Sequence, residues 1–193
     1  MIKRLFFLYL CFHCTAANAQ HVVYGKKMLD TLTSSHFWGR GYTQNGMEKA
    51  GLFIAETFSS YGLLALDGKS FFQKFSYPVN TFPGKMELTL NGKKLKPGAD
   101  FIILPESNGL TSSGVLQQKD SITYLNENDR LVIKEENKLT WSVAKEVAPY
   151  TVIELNKKAI TGEPASFKIT IENKFVKDFT AANIAAMVKG TEQ

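Results

Sequence analysis

The chain has 193 residues, 44% of them hydrophobic, with 23 basic and 18 acidic residues and a formal net charge of +5. That length allows one ordinary core or two small ones. Basic and acidic residues are interleaved, so no charged stripe marks a nucleic-acid footprint, and the small surplus reads as solubility.

The first element is an export signal. Lys3 and Arg4 precede an apolar run over 5–14 that is too short to span a bilayer, and Ala17-Asn18-Ala19 forms a cleavage box. Residues 1–19 are therefore expected to be removed, leaving an exported (periplasmic or extracellular) chain from Gln20 with no membrane span. Cys11 and Cys14 leave with the signal, so the mature chain has no disulfide, thiol nucleophile or cysteine metal site. Its charge falls to +3, from 21 basic and 18 acidic residues.

Two helices are expected next, within an N-terminal helical segment at 20–63. Over 21–32, Val22, Val23, Tyr24, Met28, Leu29 and Leu32 mostly share a helical stripe, ended by Thr33-Ser34-Ser35. A second helix over 46–61 has Asn45 as its cap and Gly62 as its stop. It turns Ala50, Phe53, Ile54, Thr57, Phe58 and Tyr61 inward.

The pattern then switches to period two, in a β-rich region placed at 64–175. A strand is predicted over 71–77, ended by Pro78, and Phe82-Pro83-Gly84 turns into a hairpin over 86–95 around Asn91-Gly92. Further strands are predicted at 101–104, 114–117, 121–125, 131–134, 139–143, 150–155 and 166–172. Residues 176–193 read as a junction whose strand, over 183–188, lacks neighbours. The fold class is α+β: two helices, then a strand-rich, mostly antiparallel region.

Residues with chemistry are sparse. His21 and His36 are the histidines of the mature chain, where zinc catalysis needs about three converging ligands. His36 reads as a solvated or capping histidine in a Ser/Gly-rich loop, and His21 as frayed beside the mature N-terminus. Glu135-Glu136 sits between lysines in a turn-like "KEENK". There is no G-x-S-x-G elbow, and "GRG" and "NGKK" lack the context of a phosphate cradle. Within "WGRG", Arg40 beside Gly39 is placed to reach a carboxylate or a helix C-terminus. Trp38 and Trp141 are candidate anchors, in the core by preference or else at an interface.

The stretch "LTSSHFWGRGYTQNGMEKAGLFIAETFSSYGL", with Gly39-Arg40, Gly46 and Gly62-Leu63, resembles the opening of secreted bacterial two-zinc aminopeptidases. "FFQKFSYPVNTFPGKMELTLNGKKLKPGADF" resembles the β segment that follows in those proteins. "KLTWSVAKEVAPYTVIEL" and "NKFVKDFTAANIAAMVKGTEQ" resemble the later leader and its junction with the catalytic domain. The resemblance implies a protease-associated-like insert, shortened here over 115–138. It also implies that 183–188 is the first strand of an absent α/β catalytic domain. The family's His-x-Asp and later zinc ligands have no counterpart, so no catalytic or metal residue carries over. The two zinc ions belong to the intact family member, and this chain alone is predicted inactive. Its partners would be the missing catalytic domain, in cis or as a split chain, and through it a peptide substrate. The alternative is a stand-alone envelope module that binds peptides or a protein. The first reading makes 184–188 the least well satisfied strand.

Overall fold

A computed structural model describes residues 21–190, so the signal at 1–19 lies outside the described residues. The chain divides after Tyr61 into two compact units.

The first unit contains α1 (Val22–Leu32) and α2 (Gly46–Ser60), with short 3-10 turns between them. The expected inward stripe of α1 is not buried: Val23 is 85% exposed and Leu29 65%. In α2, Ala50, Gly51 and Ala55 are buried and Phe53, Ile54, Thr57 and Phe58 half-buried, while Tyr61 is exposed. Gly62, at φ +70, ends the helix as expected. Asn45 does precede the helix, but in a left-handed conformation with no side-chain cap bond. Instead Gly41 O accepts from the Met47 N–H at 3.0 Å.

The second unit is built from strands. A four-stranded antiparallel sheet has the order β3-β2-β10-β5, from β2 (Met86–Leu90), β3 (Lys93–Leu95), β5 (Leu110–Val115) and β10 (Ser166–Ile171). A five-stranded sheet has the order β4-β9-β8-β7-β6, from β4 (Phe101–Ile103), β6 (Gln117–Gln118), β7 (Thr123–Asn126), β8 (Leu131–Glu136) and β9 (Thr151–Asn156). Alternation sets the core. Leu88, Leu90 and Ile169 from one sheet meet Ile133, Ile153, Leu155 and Phe101 from the other in a single buried cluster. At Asn91 and Gly92 both φ angles are positive (49° and 79°), the geometry of a two-residue hairpin turn.

The departures from expectation are specific. Residues 139–143 form no strand. They belong to the connection at 137–150 that carries the chain between β8 and β9, which pair in parallel. A parallel neighbour cannot be reached by a tight turn, so the segment crosses over instead. The strand predicted at 114–117 begins earlier, at Leu110. Pro78 does not end the first strand: β1 (Phe72–Thr81) runs through it, with a register shift between Tyr77 and Val79. The final strand is β11 (Lys174–Ile184), paired antiparallel with β1 over its length, and not a segment at 183–188. Ala185 then donates to Phe71 O, and Met187 and Leu64 exchange two bonds. The stretch expected to be least satisfied therefore has backbone partners along one side.

Candidate functional site

In the first unit the candidate residues lie on one left-handed loop. Trp38, Gly39 and Arg40 have φ of 45°, 67° and 59°, followed by Gln44 and Asn45 at 52° and 57°. Non-glycine residues in this region cost of order 1–3 kcal/mol each, so the surroundings must hold them there. Phe37, which is buried, anchors the loop through its ring 5.8 Å from Phe53 on α2. Arg40 Nη1 donates to Leu32 O at 2.5 Å, placing a cation on the C-terminal carbonyl end of α1, where the helix dipole favours it. Gly46 is glycine for want of room: a Cβ there would collide with Phe37 O. Trp38 is 55% exposed and so is not a core anchor. Tyr61 Oη and Tyr24 are hydrogen-bonded, which with partial burial lifts the Tyr61 phenol above its ordinary pKa.

In the second unit a buried polar clamp joins distant segments. Asn80 on β1 is 3% exposed. Its Nδ2 donates to Pro105 O and Ser107 O, both at 2.8 Å, and its Oδ1 accepts from Asn173 Nδ2 at 3.0 Å. Asn173 Oδ1 accepts from Gly109 N, Ser107 Oγ accepts from Val152 N, and Thr151 Oγ1 donates to Asn108 O. Sequence reasoning missed this group. The available signal was a polar Asn80 in the apolar "YPVNTF", together with the turn-forming "PESNG" at 105–109.

The clamp also seats the crossover at 137–150, since Asn80 N donates to Ala144 O and Ala148 N to Glu106 O. Outward from those ties the crossover carries Trp141 and Val143, 65% and 63% exposed. Trp141 lies over Gly98, 3.8 Å from the position of an added Cβ, and not in the core.

The ribbon of β1 and β11 supplies the third candidate. Phe75 and Tyr77 stack with ring centroids 5.8 Å apart, and Phe179, opposite Tyr77, lies 5.8 Å from it. Phe75 is 45% and Phe175 39% exposed, so the ribbon presents aromatic surface.

Charge chemistry is modest. Backbone amides of Ser70 and Lys69 hold the Asp67 carboxyl below its ordinary pKa, and the Ile122 amide does the same for Asp120. Glu136, 2.6 Å from Lys134, raises that ammonium. Burial raises the Tyr124 phenol. Among the described residues no three His, Cys, Asp or Glu side chains converge as a metal site. No helix among the described residues is long and apolar enough to cross a membrane. No protein-family model, curated protein or solved structure matches the chain.

Proposed function

We propose that this chain is the non-catalytic N-terminal portion of a secreted two-zinc aminopeptidase, a module that packs against a catalytic polypeptide and frames its substrate entrance. The observation that carries the reading is the aromatic ribbon. It pairs two of the segments that resemble that family, "FFQKFSYPV" and "NKFVKDFTAANI", and it leaves Phe75, Tyr77 and Phe179 on one face. An apolar face of this kind on a two-stranded ribbon is stabilised by a covering partner. On this reading the shortened insert over 115–138 would span β6, β7 and β8. Peptide hydrolysis would belong to the partner, whose zinc ions polarise the scissile carbonyl and activate water.

Two measurements test this. The nucleotide sequence downstream of Gln193 should encode, in frame or in a neighbouring gene, a domain with His-x-Asp and the later ligands. The processed chain alone should not hydrolyse aminoacyl-nitroanilides with or without zinc, and should bind that domain when the two are mixed. A downstream region with no such coding sequence, or zinc-dependent hydrolysis by the chain alone, overturns the reading.

The exposed Trp141 and Val143 favour a second reading, a stand-alone envelope module that binds a peptide or protein through the crossover. A processed chain that captures envelope partners in crosslinking, and a Trp141→Ala chain that folds normally but loses them, would support it.

A further inference from the structure

The chain contains three Asn-Gly pairs, Asn45-Gly46, Asn91-Gly92 and Asn108-Gly109. In this dipeptide the following amide nitrogen reaches the asparagine Cγ most readily, since glycine has no side chain in the way. The fold fastens the three differently. Gly46 is buried, and its N–H donates to Thr43 O. The Asn91 side chain is spent on the loop before β10: Nδ2 donates to Glu163 O at 2.8 Å, and Oδ1 accepts from Ala165 N and Ser166 N at 2.9 and 3.1 Å. Asn108, exposed on the loop between β4 and β5, instead folds its side chain over its own peptide, and Oδ1 accepts from Gly109 N at 2.9 Å. Cγ is one bond from that oxygen, so the reacting atoms are already neighbours. The same N–H donates to Asn173 Oδ1, also at 2.9 Å. That second bond keeps the proton on a nitrogen that must lose it to become a nucleophile. Space fixes the glycine, since a Cβ there would lie 2.9 Å from both Asn173 Oδ1 and Ile171 O.

We propose that Asn108 is a latent self-modification site, converted to aspartate or isoaspartate when Asn173 releases the Gly109 N–H, and that the conversion unlocks the Asn80 clamp. The Gly109 nitrogen gives up its proton and bonds to Asn108 Cγ. The Cγ–Nδ2 bond breaks, and ammonia departs with that proton. Water then opens the cyclic imide at either carbonyl. Opening at Cγ leaves aspartate, and opening at the main-chain carbonyl leaves isoaspartate, with an extra carbon in the backbone. Isoaspartate lengthens the path between Ser107 O, which holds Asn80 Nδ2, and Gly109 N, which holds Asn173. It also turns the Asn108 carbonyl that accepts from Thr151 Oγ1 into a free carboxylate. The clamp loses its register, and with it the seat of the crossover at Ala144 and Ala148. The inference is independent of the aminopeptidase reading and is tested without activity.

The test incubates the processed protein in heavy-oxygen water at mildly alkaline pH and reads solvent oxygen at each asparagine by peptide mapping. In the folded chain Asn108 should convert at least about tenfold more slowly than in urea, because a nucleophile held out of its reactive state costs that much or more. Asn173→Ala should remove most of that protection at Asn108 and leave Asn91 at its wild-type rate, which shows that the variant is still folded. Asn173→Asp keeps an oxygen on the Gly109 N–H and should keep Asn108 slow. Converted chains should be cut by protease within 137–150 faster than unconverted ones. Equal rates at Asn108 in folded and urea-unfolded protein overturn the proposal. So does an Asn173→Ala chain with no gain at Asn108, or with a gain that Asn91 shares in full. An Asn173→Asp chain as fast as the alanine variant overturns it too, as does conversion that leaves the crossover no easier to cut.

Discussion

Replacing Asn80 with alanine tests how the second unit is held together. The side chain makes three hydrogen bonds, to Pro105 O, Ser107 O and Asn173 Nδ2, at a site that is 3% exposed. A net hydrogen bond contributes about 1 kcal/mol, and a buried partner left unsatisfied costs roughly 1–3 kcal/mol. Two orphaned carbonyls and one orphaned amide therefore predict a loss of about 3–5 kcal/mol. That is a large share of the roughly 5–15 kcal/mol available to a domain. Urea unfolding followed by circular dichroism measures it, and the melting temperature should fall by roughly 10–20 °C. The double variant Asn80→Ala/Asn173→Ala should lose less than the sum of its parts, with a coupling of about 1 kcal/mol from the shared bond. A loss below about 1 kcal/mol for Asn80→Ala would refute the reasoning, because it would mean that water satisfies those groups as well as Asn80 does.

Gly46→Ala should destabilise the first unit by about 2 kcal/mol or more, because the new methyl meets Phe37 O; hydrogen exchange of the α2 amides reports it. Trp38→Gly should leave stability unchanged or raise it by about 1 kcal/mol, since it relieves a left-handed φ of 45° at an exposed side chain. A clear loss in thermal melts would mean that the ring packs. Ile169→Ala, in the sealed core, should cost about 2–5 kcal/mol in urea unfolding. Asp67 and Asp120 have folded pKa values below the ordinary value, so both bind fewer protons folded than unfolded. Their contribution is present above the ordinary aspartate value and is lost as pH falls through the depressed folded values. Asp67→Asn/Asp120→Asn should flatten the stability profile in that acid window.

The sequence was most legible where a single physical rule decides the outcome. Asn91-Gly92 names its own turn, Gly62 supplies the left-handed helix stop, and the alternation of Leu88 and Leu90 or Ile153 and Leu155 marks buried strand faces. It misled where two structures share a pattern. Leu139, Trp141 and Val143 alternate as a strand does, yet the segment is tied to Asn80 through Ala144 O and cannot join a ladder. β11 was read too late because "KFVKDF" breaks its alternation with Lys177 and Asp178, where the register against β1 shifts. The candidates on the 38–45 loop were visible as Gly39 and Arg40, but the left-handed run from Trp38 was not, since φ depends on what surrounds the residue. The Asn80 clamp was hidden for a related reason: each member looks like an ordinary polar residue until the fold brings together partners from β1, β9 and two loops.

The pairing of β1 with β11 also sets an order of events. Phe72 and Ile184 are partners 112 positions apart, and every other strand of the unit lies between them in sequence. At roughly 5–20 residues per second, β1 waits on the order of 6–20 s in a growing chain before its partner exists. Through that interval Phe75 and Tyr77 have no cross-strand cover, while the two sheets between can already close around their own core. The ribbon can thus be completed only after every other strand of the unit has been synthesised, so its closure is the most non-local pairing in the unit.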